Sequence, residues 1–326
     1  MPTAGSSRVL PEDAHYARAL ELAECGRGKT GDHPLVGAVV VRDGRVVGEG
    51  WYEHEAVRHA EVVALEEAGD SARGATLYVT LEPCSHHGRT PPCADAVVAA
   101  GVARVVVGAH DPNPVVDGRG IERIRAAGID VELLDDLAAR RQNEAWRAWK
   151  SLGRPFVTYK AAVTLDGRVT VPGRRWVSGE ESRRRVHELR AATDAVAVGM
   201  GTVRADAPRL DARDVDAVRQ PRRFAFGRGP LPEGSELELR SGPLEDELRA
   251  LAADGVRSLL LEGGPTLATA FLTAGLVDKL LLFVAPVLAG AGPYVLGDLA
   301  EPLELIHLGS EPSGEDVVLE AYLREP

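Results

Sequence analysis

The sequence predicts an α/β protein of two domains, residues 1–150 and 151–326, each a sheet covered by helices. Three observations predict it. The chain has 326 residues, more than one hydrophobic core usually serves. Strand-like apolar runs alternate with helical ones from end to end, which argues a largely parallel sheet. The stretch Ser151-Leu152-Gly153-Arg154-Pro155 interrupts the alternation, which then restarts.

In the first domain, Pro11 to Cys25 spaces its alanines and leucines at three and four, the period of a helix, and Gly26 ends it. Leu35 to Val41 is an apolar strand, Asp43-Gly44 a hairpin turn, and Arg45 to Gly50 the returning strand. A helix headed by His59 follows, then a strand over Thr76–Leu81, a helix from Cys93 to Gly101, and a strand over Ala103–Gly108. A helix from about Gly120, a strand over Ile129–Leu134 and a single helix over Asp136–Lys150 close the domain. In the second, strands are expected at Phe156–Val163, Ala195–Gly199, Arg222–Phe226, Ser258–Leu261, Lys279–Ala285 and Asp316–Leu323. Helices are expected at Glu180–Ala191, Leu244–Ala253 and Pro265–Ala274, and Gly227–Pro243, rich in glycine and proline, reads as a surface loop.

Composition narrows the function. Hydrophobic residues make up 44% and charged residues 27%, as in an ordinary soluble globular protein. The net charge of −11 repels a polynucleotide backbone, so no nucleic-acid partner is expected, although local arginines still suit a single phosphate. Three cysteines leave no disulfide framework once two are assigned to metal, which points to a reducing, cytoplasmic setting. No charged-then-apolar leader opens the sequence and no apolar run reaches about 18 residues, so neither secretion nor membrane spanning is expected.

The residues that carry chemistry begin with His59-Ala60-Glu61, followed by Pro83-Cys84, eight intervening residues and Cys93. One imidazole and two thiolates are one ligand short of a closed structural zinc site, the count expected where water fills the fourth position. Glu61 is not needed as a ligand; beside the metal it serves as the acid/base that moves a proton from water to a leaving amine. Taken singly, these cysteines could be inert core residues and the tripeptide is common; the ordered set is the pattern of zinc deaminases. Cys25, alone on its helix, is read as a packing residue.

In the second domain the glycines carry the signal. Glu262-Gly263-Gly264-Pro265-Thr266 joins a strand to a helix, where free backbone N–H groups can hold a phosphate, although a plain turn would look the same. Gly199-Met200-Gly201-Thr202 offers a second such nest, and Asp166 is expected to hold a turn. No Gly-x-Gly-x-x-Gly follows a strand, so the residues alone reach only a phosphate-bearing ligand.

Over nearly its whole length the chain resembles the bifunctional riboflavin-biosynthesis deaminase/reductase family. The resemblance rests on Val36-Gly37-Ala38-Val39-Val40, on His59-Ala60-Glu61 and above all on the unbroken string from Thr80-Leu81-Glu82-Pro83-Cys84 to Pro91-Pro92-Cys93. Asp111-Pro112-Asn113-Pro114, Leu165-Asp166-Gly167, Trp176-Val177-Ser178 and Glu262-Gly263-Gly264 extend it. It implies a cytidine-deaminase-like α/β/α sandwich followed by a dihydrofolate-reductase-like α/β domain, with Zn2+ and NADPH as cofactors. It implies hydrolytic deamination of a diaminopyrimidinone ribosyl phosphate at a zinc held by His59, Cys84 and Cys93, with Glu61 shuttling protons, then reduction of the ribosyl group to ribityl. By similarity His33, Tyr52, His86, Arg89, Thr90, Asp111 and Asn113 line the deaminase pocket. Likewise Arg190, Leu210, Arg213 and Glu262 would hold the reductase substrate, and Ala162, Trp176, Thr202, Asp206 and Gly264 the nicotinamide nucleotide. Family members are often homo-oligomers. The chain departs from the family in having His33 where asparagine is usual, Tyr52 where histidine is usual, and Gly227-Arg228 where an Asp-Ser pair is common. The first two change the donors and acceptors offered to a heterocycle. They motivate an alternative, a paralogue acting on another phosphoribosylated or related heterocycle; a nucleic-acid editor and a zinc-stabilised scaffold without turnover are the remaining alternatives.

Overall fold

The computed structural model describes residues 11–326 except Arg89 and Val218, so the expectation for Arg89 lies outside the described residues. The chain divides into two compact units, Met1–Ser151 and Leu152–Pro326. In the first unit the elements are α1 (Pro11–Glu24), β1 (Gly37–Arg42), β2 (Arg45–Trp51), α2 (Ala60–Ala68), β3 (Thr76–Leu81), α3 (Cys93–Ala100), β4 (Arg104–Ala109), α4 (Arg119–Ala126) and β5 (Asp130–Leu133), followed by α5 (Leu137–Gln142) and α6 (Glu144–Leu152). The five strands stand in the order β2-β1-β3-β4-β5. β1 is antiparallel to both neighbours, while β3, β4 and β5 run parallel. Asp43 and Gly44, with φ of 52° and 73°, make the left-handed turn that a two-residue hairpin requires. The parallel pairs need crossovers, which α3 and α4 supply.

Side chains alternate across this sheet, and the alternation makes it a sandwich. Ala38 and Val40 of β1 pack with residues of α2, α3 and α4, whereas Val39 and Val41 pack with Ala19 and Leu22 of α1. α2 lies directly on β2 because Gly48 and Gly50 carry no side chain; a Cβ there would overlap the carbonyl oxygens of Ala64 and Ala60. That contact fixes the helix bearing Glu61.

The single helix expected over Asp136–Lys150 is two helices. Asn143 separates them at φ −112° and ψ 15°. Its buried carboxamide donates to Leu35 O and accepts from Leu35 N, both at 2.8 Å. Asp136 caps α5 by accepting from Ala139 N at 3.0 Å. Cys25 is also corrected: it follows α1 and is exposed.

The second unit holds β6 (Phe156–Thr164), α7 (Glu180–Ala192), β7 (Ala195–Gly199), α8 (Met200–Asp206), β8 (Arg222–Phe226), β9 (Glu238–Arg240), α9 (Leu244–Ala253), β10 (Ser258–Leu261), α10 (Pro265–Thr273), β11 (Lys279–Ala285), β12 (Ile306–Ser313) and β13 (Asp316–Tyr322). Its sheet runs β12-β13-β11-β6-β10-β7-β8-β9. The six strands from β11 to β9 are parallel, and β13 is antiparallel to both β11 and β12. Tyr159, Phe224, Phe271 and Phe283 are buried in its core. Two strands and a helix exceed the sequence expectation. β12 is an exposed edge strand with Pro312 in it, so neither alternation nor β-propensity marks it. β9 lies within the stretch read as a loop, and α8 begins at the second presumed glycine nest. Among the described residues no helix is long and apolar enough to cross a membrane.

Candidate active sites

The first unit brings His59, Cys84 and Cys93 together. His59 is the N-cap of α2, Cys93 opens α3 after Pro92, and Cys84 lies in the loop between β3 and α3. His59 Nδ1 lies 3.8 Å from Cys84 Sγ and 3.0 Å from Cys93 Sγ, and all three donor atoms fall within 4.8 Å of one another. Tetrahedral zinc with bonds of roughly 2.0–2.3 Å separates its ligand atoms by roughly 3.5–3.8 Å, so the cluster fits the ion. The donor chemistry fits as well. Cys93 N–H donates to Cys84 Sγ at 3.2 Å. The hydrogen bond from the Cys93 side chain and the approach of His59 outweigh burial and pull the Cys84 thiol down to about 4. The same sulfur–sulfur contact, with burial, pushes Cys93 upward; a dication shared by both sulfurs removes that opposition. The imidazole of His59 is raised by its hydrogen bond to Cys84.

Glu61 sits in the first turn of α2, 3% exposed. Burial pushes its carboxyl up to about 7; His59 opposes the shift and Cys84 adds to it. A carboxyl poised near neutrality suits proton transfer in both directions.

His59, Glu61 and Cys84 open into a cavity of about 310 Å³. His33, Tyr52, His86, Thr90, Asp111 and Asn113 all line it. His33 stacks on Tyr52 with ring centroids 4.7 Å apart and planes at 29°, and Tyr52 meets the His59 ring edge-on at 5.6 Å. His33 and Tyr52 thus form one aromatic wall against His59. Asp111 Oδ1 accepts from Asn113 N at 2.8 Å, and burial pushes the Asp111 carboxyl up to about 7.

Glu82, Trp146 and Lys150 are among the lining residues that the sequence reading did not single out. The Lys150 ammonium rests 4.2 Å from the Trp149 ring centre. Buried Glu82 accepts four backbone amides: Gly120 N at 3.0 Å and Ile121 N at 3.3 Å on Oε1, Gly118 N at 3.1 Å and Asp111 N at 3.3 Å on Oε2. It therefore gathers the start of α4 and the loop carrying Asp111 onto the residue next to Pro83-Cys84.

In the second unit the sequence candidates fall into two groups. Arg190 Nε and Nη2 donate to the two oxygens of Glu262 at 2.6 and 3.0 Å, and its Nη1 donates to Asp211 O at 3.1 Å. Arg213 Nη1 donates to Asp211 Oδ1 at 2.7 Å, and buried Leu210 precedes it at φ 55°. The structure adds Lys160, whose Nζ lies 3.6 Å from Glu262 Oε2. Its sequence signal was a lysine inside the apolar run of β6. Burial alone would push Glu262 up, but Lys160 and Arg190 more than offset it and hold the carboxyl below its ordinary range. Of the cofactor candidates, Thr202 and Gly264 meet: a Cβ on Gly264, the N-cap of α10, would stand 3.5 Å from Thr202 Oγ1. Ala162 faces Phe283 across the β6–β11 ladder. Trp176 is half exposed between the guanidinium groups of Arg175 and Arg183, and Asp206 ends α8 exposed to solvent. Asp166 holds its turn, accepting from Thr164 Oγ1, Ala289 N and Gly290 N at 2.6, 2.9 and 2.8 Å.

Comparison with known proteins divides the chain in the same order. The profile of the cytidine and deoxycytidylate deaminase zinc-binding region matches residues 11–109, and that of the RibD C-terminal domain matches residues 155–319. The riboflavin biosynthesis protein RibD of Mycobacterium tuberculosis is 42% identical, over 89% of each chain. That of Aquifex aeolicus is 39% identical over 94% of this chain and 97% of the relative. Among solved structures, RibD of Acinetobacter baumannii superimposes with a TM-score of 0.83 at 35% identity, covering 96% of this chain and 98% of that one. A diaminohydroxyphosphoribosylaminopyrimidine deaminase/5-amino-6-(5-phosphoribosylamino)uracil reductase from Thermotoga maritima gives 0.80 at 34% identity, with the same coverage.

Proposed function

The chain belongs to the RibD family of riboflavin-biosynthesis proteins, which join a zinc-dependent deaminase to an NADPH-dependent reductase, and from that premise we propose which of its residues carry each step. The substrate of the first step is a diaminopyrimidinone ribosyl phosphate, and its deaminated product is the substrate of the second. Identities of 33–42% to RibD relatives over most of both chains favour this reading over a paralogue for another heterocycle.

His59 Nδ1, Cys84 Sγ and Cys93 Sγ would hold the zinc, which would supply Lewis acidity toward water. Glu61 would take a proton from the attacking water and return it to the departing amine, the work for which its pKa near neutrality fits it. Asp111 and Asn113 orient the base and ribose, and His86, Arg89 and Thr90 receive the phosphate. His33 and Tyr52 wall the ring. The clustering of the His59, Cys84 and Cys93 donor atoms within 4.8 Å of one another, where His59, Cys84 and Glu61 line one cavity, is the observation that carries this reading.

In the second unit Glu262 and Lys160 contact the ribosyl group, Glu262 held ionised by its cationic neighbours. Arg190 orients Glu262, because its fork is already engaged there. Leu210 and Arg213 bound the substrate side. Thr202 and Gly264, which meet at the start of α10, would hold the nicotinamide nucleotide together with Ala162, Trp176 and Asp206. NADPH supplies the hydride. We place the enzyme in the cytoplasm, where thiolate ligands stay reduced, and as a homo-oligomer, for which exposed Leu288 and Leu308 offer apolar surface. Sedimentation tests the assembly.

Glu61→Gln tests the central assignment. Ammonia release should fall by a factor of at least about 10² with zinc content unchanged, while reduction of the deaminated intermediate persists. An unchanged rate of ammonia release would remove Glu61 from the reaction.

A further inference from the structure

NADPH differs from NADH by one phosphate on the adenosine 2′-oxygen, a dianion near neutral pH, so preferring it takes a cation at that point and no carboxylate. A second cavity, of about 410 Å³, opens at the carboxyl ends of β7 and β8 and beside the end of β9, the edge of a parallel sheet where ligands bind. Gly199, Gly227, Ser241 and Thr266 contribute to its wall, and its charged residues are Arg228 and Arg240, with no acid among them. The two arginines differ. Arg240 is committed, its guanidinium 3.4 Å from Glu238, 3.5 Å from Glu247 and 4.9 Å from the Phe224 ring centre. Arg228 is exposed and makes no ion pair among the described residues.

The backbone around Arg228 is nonetheless set. Gly227 and Gly229 flank it at φ 135° and 101°, conformations that glycine adopts without strain. Arg204 Nη2 donates to the Arg228 carbonyl at 2.8 Å.

We propose that Arg228 binds the 2′-phosphate of NADPH and is the residue by which this chain prefers NADPH to NADH. The inference rests on reading this cavity as part of the cofactor site. A guanidinium fork matches a phosphate in two places, and its exposure keeps the site open until the nucleotide arrives.

The test is nucleotide binding by the full-length, zinc-loaded protein, read by quenching of tryptophan fluorescence with NADPH, NADH and adenosine 2′,5′-bisphosphate. Arg228→Ala should raise the Kd for NADPH and for the bisphosphate by roughly 30-fold and leave that for NADH within about twofold. Arg228→Lys should recover part of the loss. Unchanged NADPH binding in Arg228→Ala, or equal weakening of NADPH and NADH, overturns the role of Arg228 and leaves the cofactor site standing. If the unaltered protein binds neither dinucleotide, the reading of the cavity falls and the inference with it.

Discussion

Glu61 is buried and Glu262 nearly so, each in the site proposed for one of the two reactions, and their environments drive them in opposite directions. Burial pushes each up. Around Glu61, His59 opposes the shift, helped by hydrogen bonds from its own backbone and from Cys93, but burial with Cys84 prevails and the group rests near 7. Around Glu262, Lys160 and Arg190 more than offset burial, and the carboxyl stays below its ordinary range. The carboxylate proposed to pick up and release a proton has no cationic side chain but His59 against it. The one proposed to stay charged is given two cations.

Three experiments break or sharpen that contrast. The largest effect should come from stripping zinc with a chelator, which should abolish ammonia release while reduction of the preformed intermediate stays within about twofold. Loss of both activities would mean that the two units do not work as separate catalysts. Next is Glu262→Gln, which leaves Lys160 and Arg190 buried without their counter-charge. Breaking such a group costs about 3–5 kcal/mol, so the melting temperature should drop sharply and reduction should slow by about 10² or more, with deamination spared. Because the folded carboxyl lies below its unfolded value, its contribution is present above the ordinary carboxylate range and vanishes as pH falls through the depressed one. Deamination falling in parallel would break the contrast. The smallest effect is expected at Asp111, where burial raises the carboxyl from 3.8 to about 7. A raised acid stabilises the fold fully below its unfolded pKa and loses that contribution as pH rises through the folded one. Calorimetry of zinc-loaded Asp111→Asn should therefore show the variant gaining about 2–4 °C on the unaltered protein between pH 5.5 and 8.5. A constant difference over that range would mean that Asp111 stays charged in the pocket.

The same contrast explains what the sequence discloses. The proposed metal ligands are residues 59, 84 and 93, drawn from a chain with nine histidines and three cysteines, so their types are scarce and their spacing is short. Coordination geometry dictates both, and the pattern is legible without coordinates. Lys160, Arg190 and Glu262 come from β6, α7 and the end of β10, and each type is common. Only burial distinguishes them from solvated charges, and the fork of Arg190 points inward to Glu262 rather than outward to a phosphate. The fold divides likewise. Strands β1, β3, β7, β8 and β10 are short apolar runs and were readable, whereas the break at Asn143 depends on Leu35, 108 positions away. No local pattern reports such a partner. β12 escaped because an exposed edge strand needs no apolar face.

Glu82 bears on substrate choice. One carboxylate anchors the loop of Asp111 and the first turn of α4 to the residue that leads into Cys84, and Gly120 lies so close to the Pro83 carbonyl that a Cβ would overlap it. The metal end of the cavity and the Asp111 end are therefore parts of one rigid frame. With Asp111 at the sugar as proposed, such a frame would act as a caliper, accepting a molecule whose distance from amino-bearing carbon to sugar matches a fixed gap and so selecting by length as well as by the pattern of its ring.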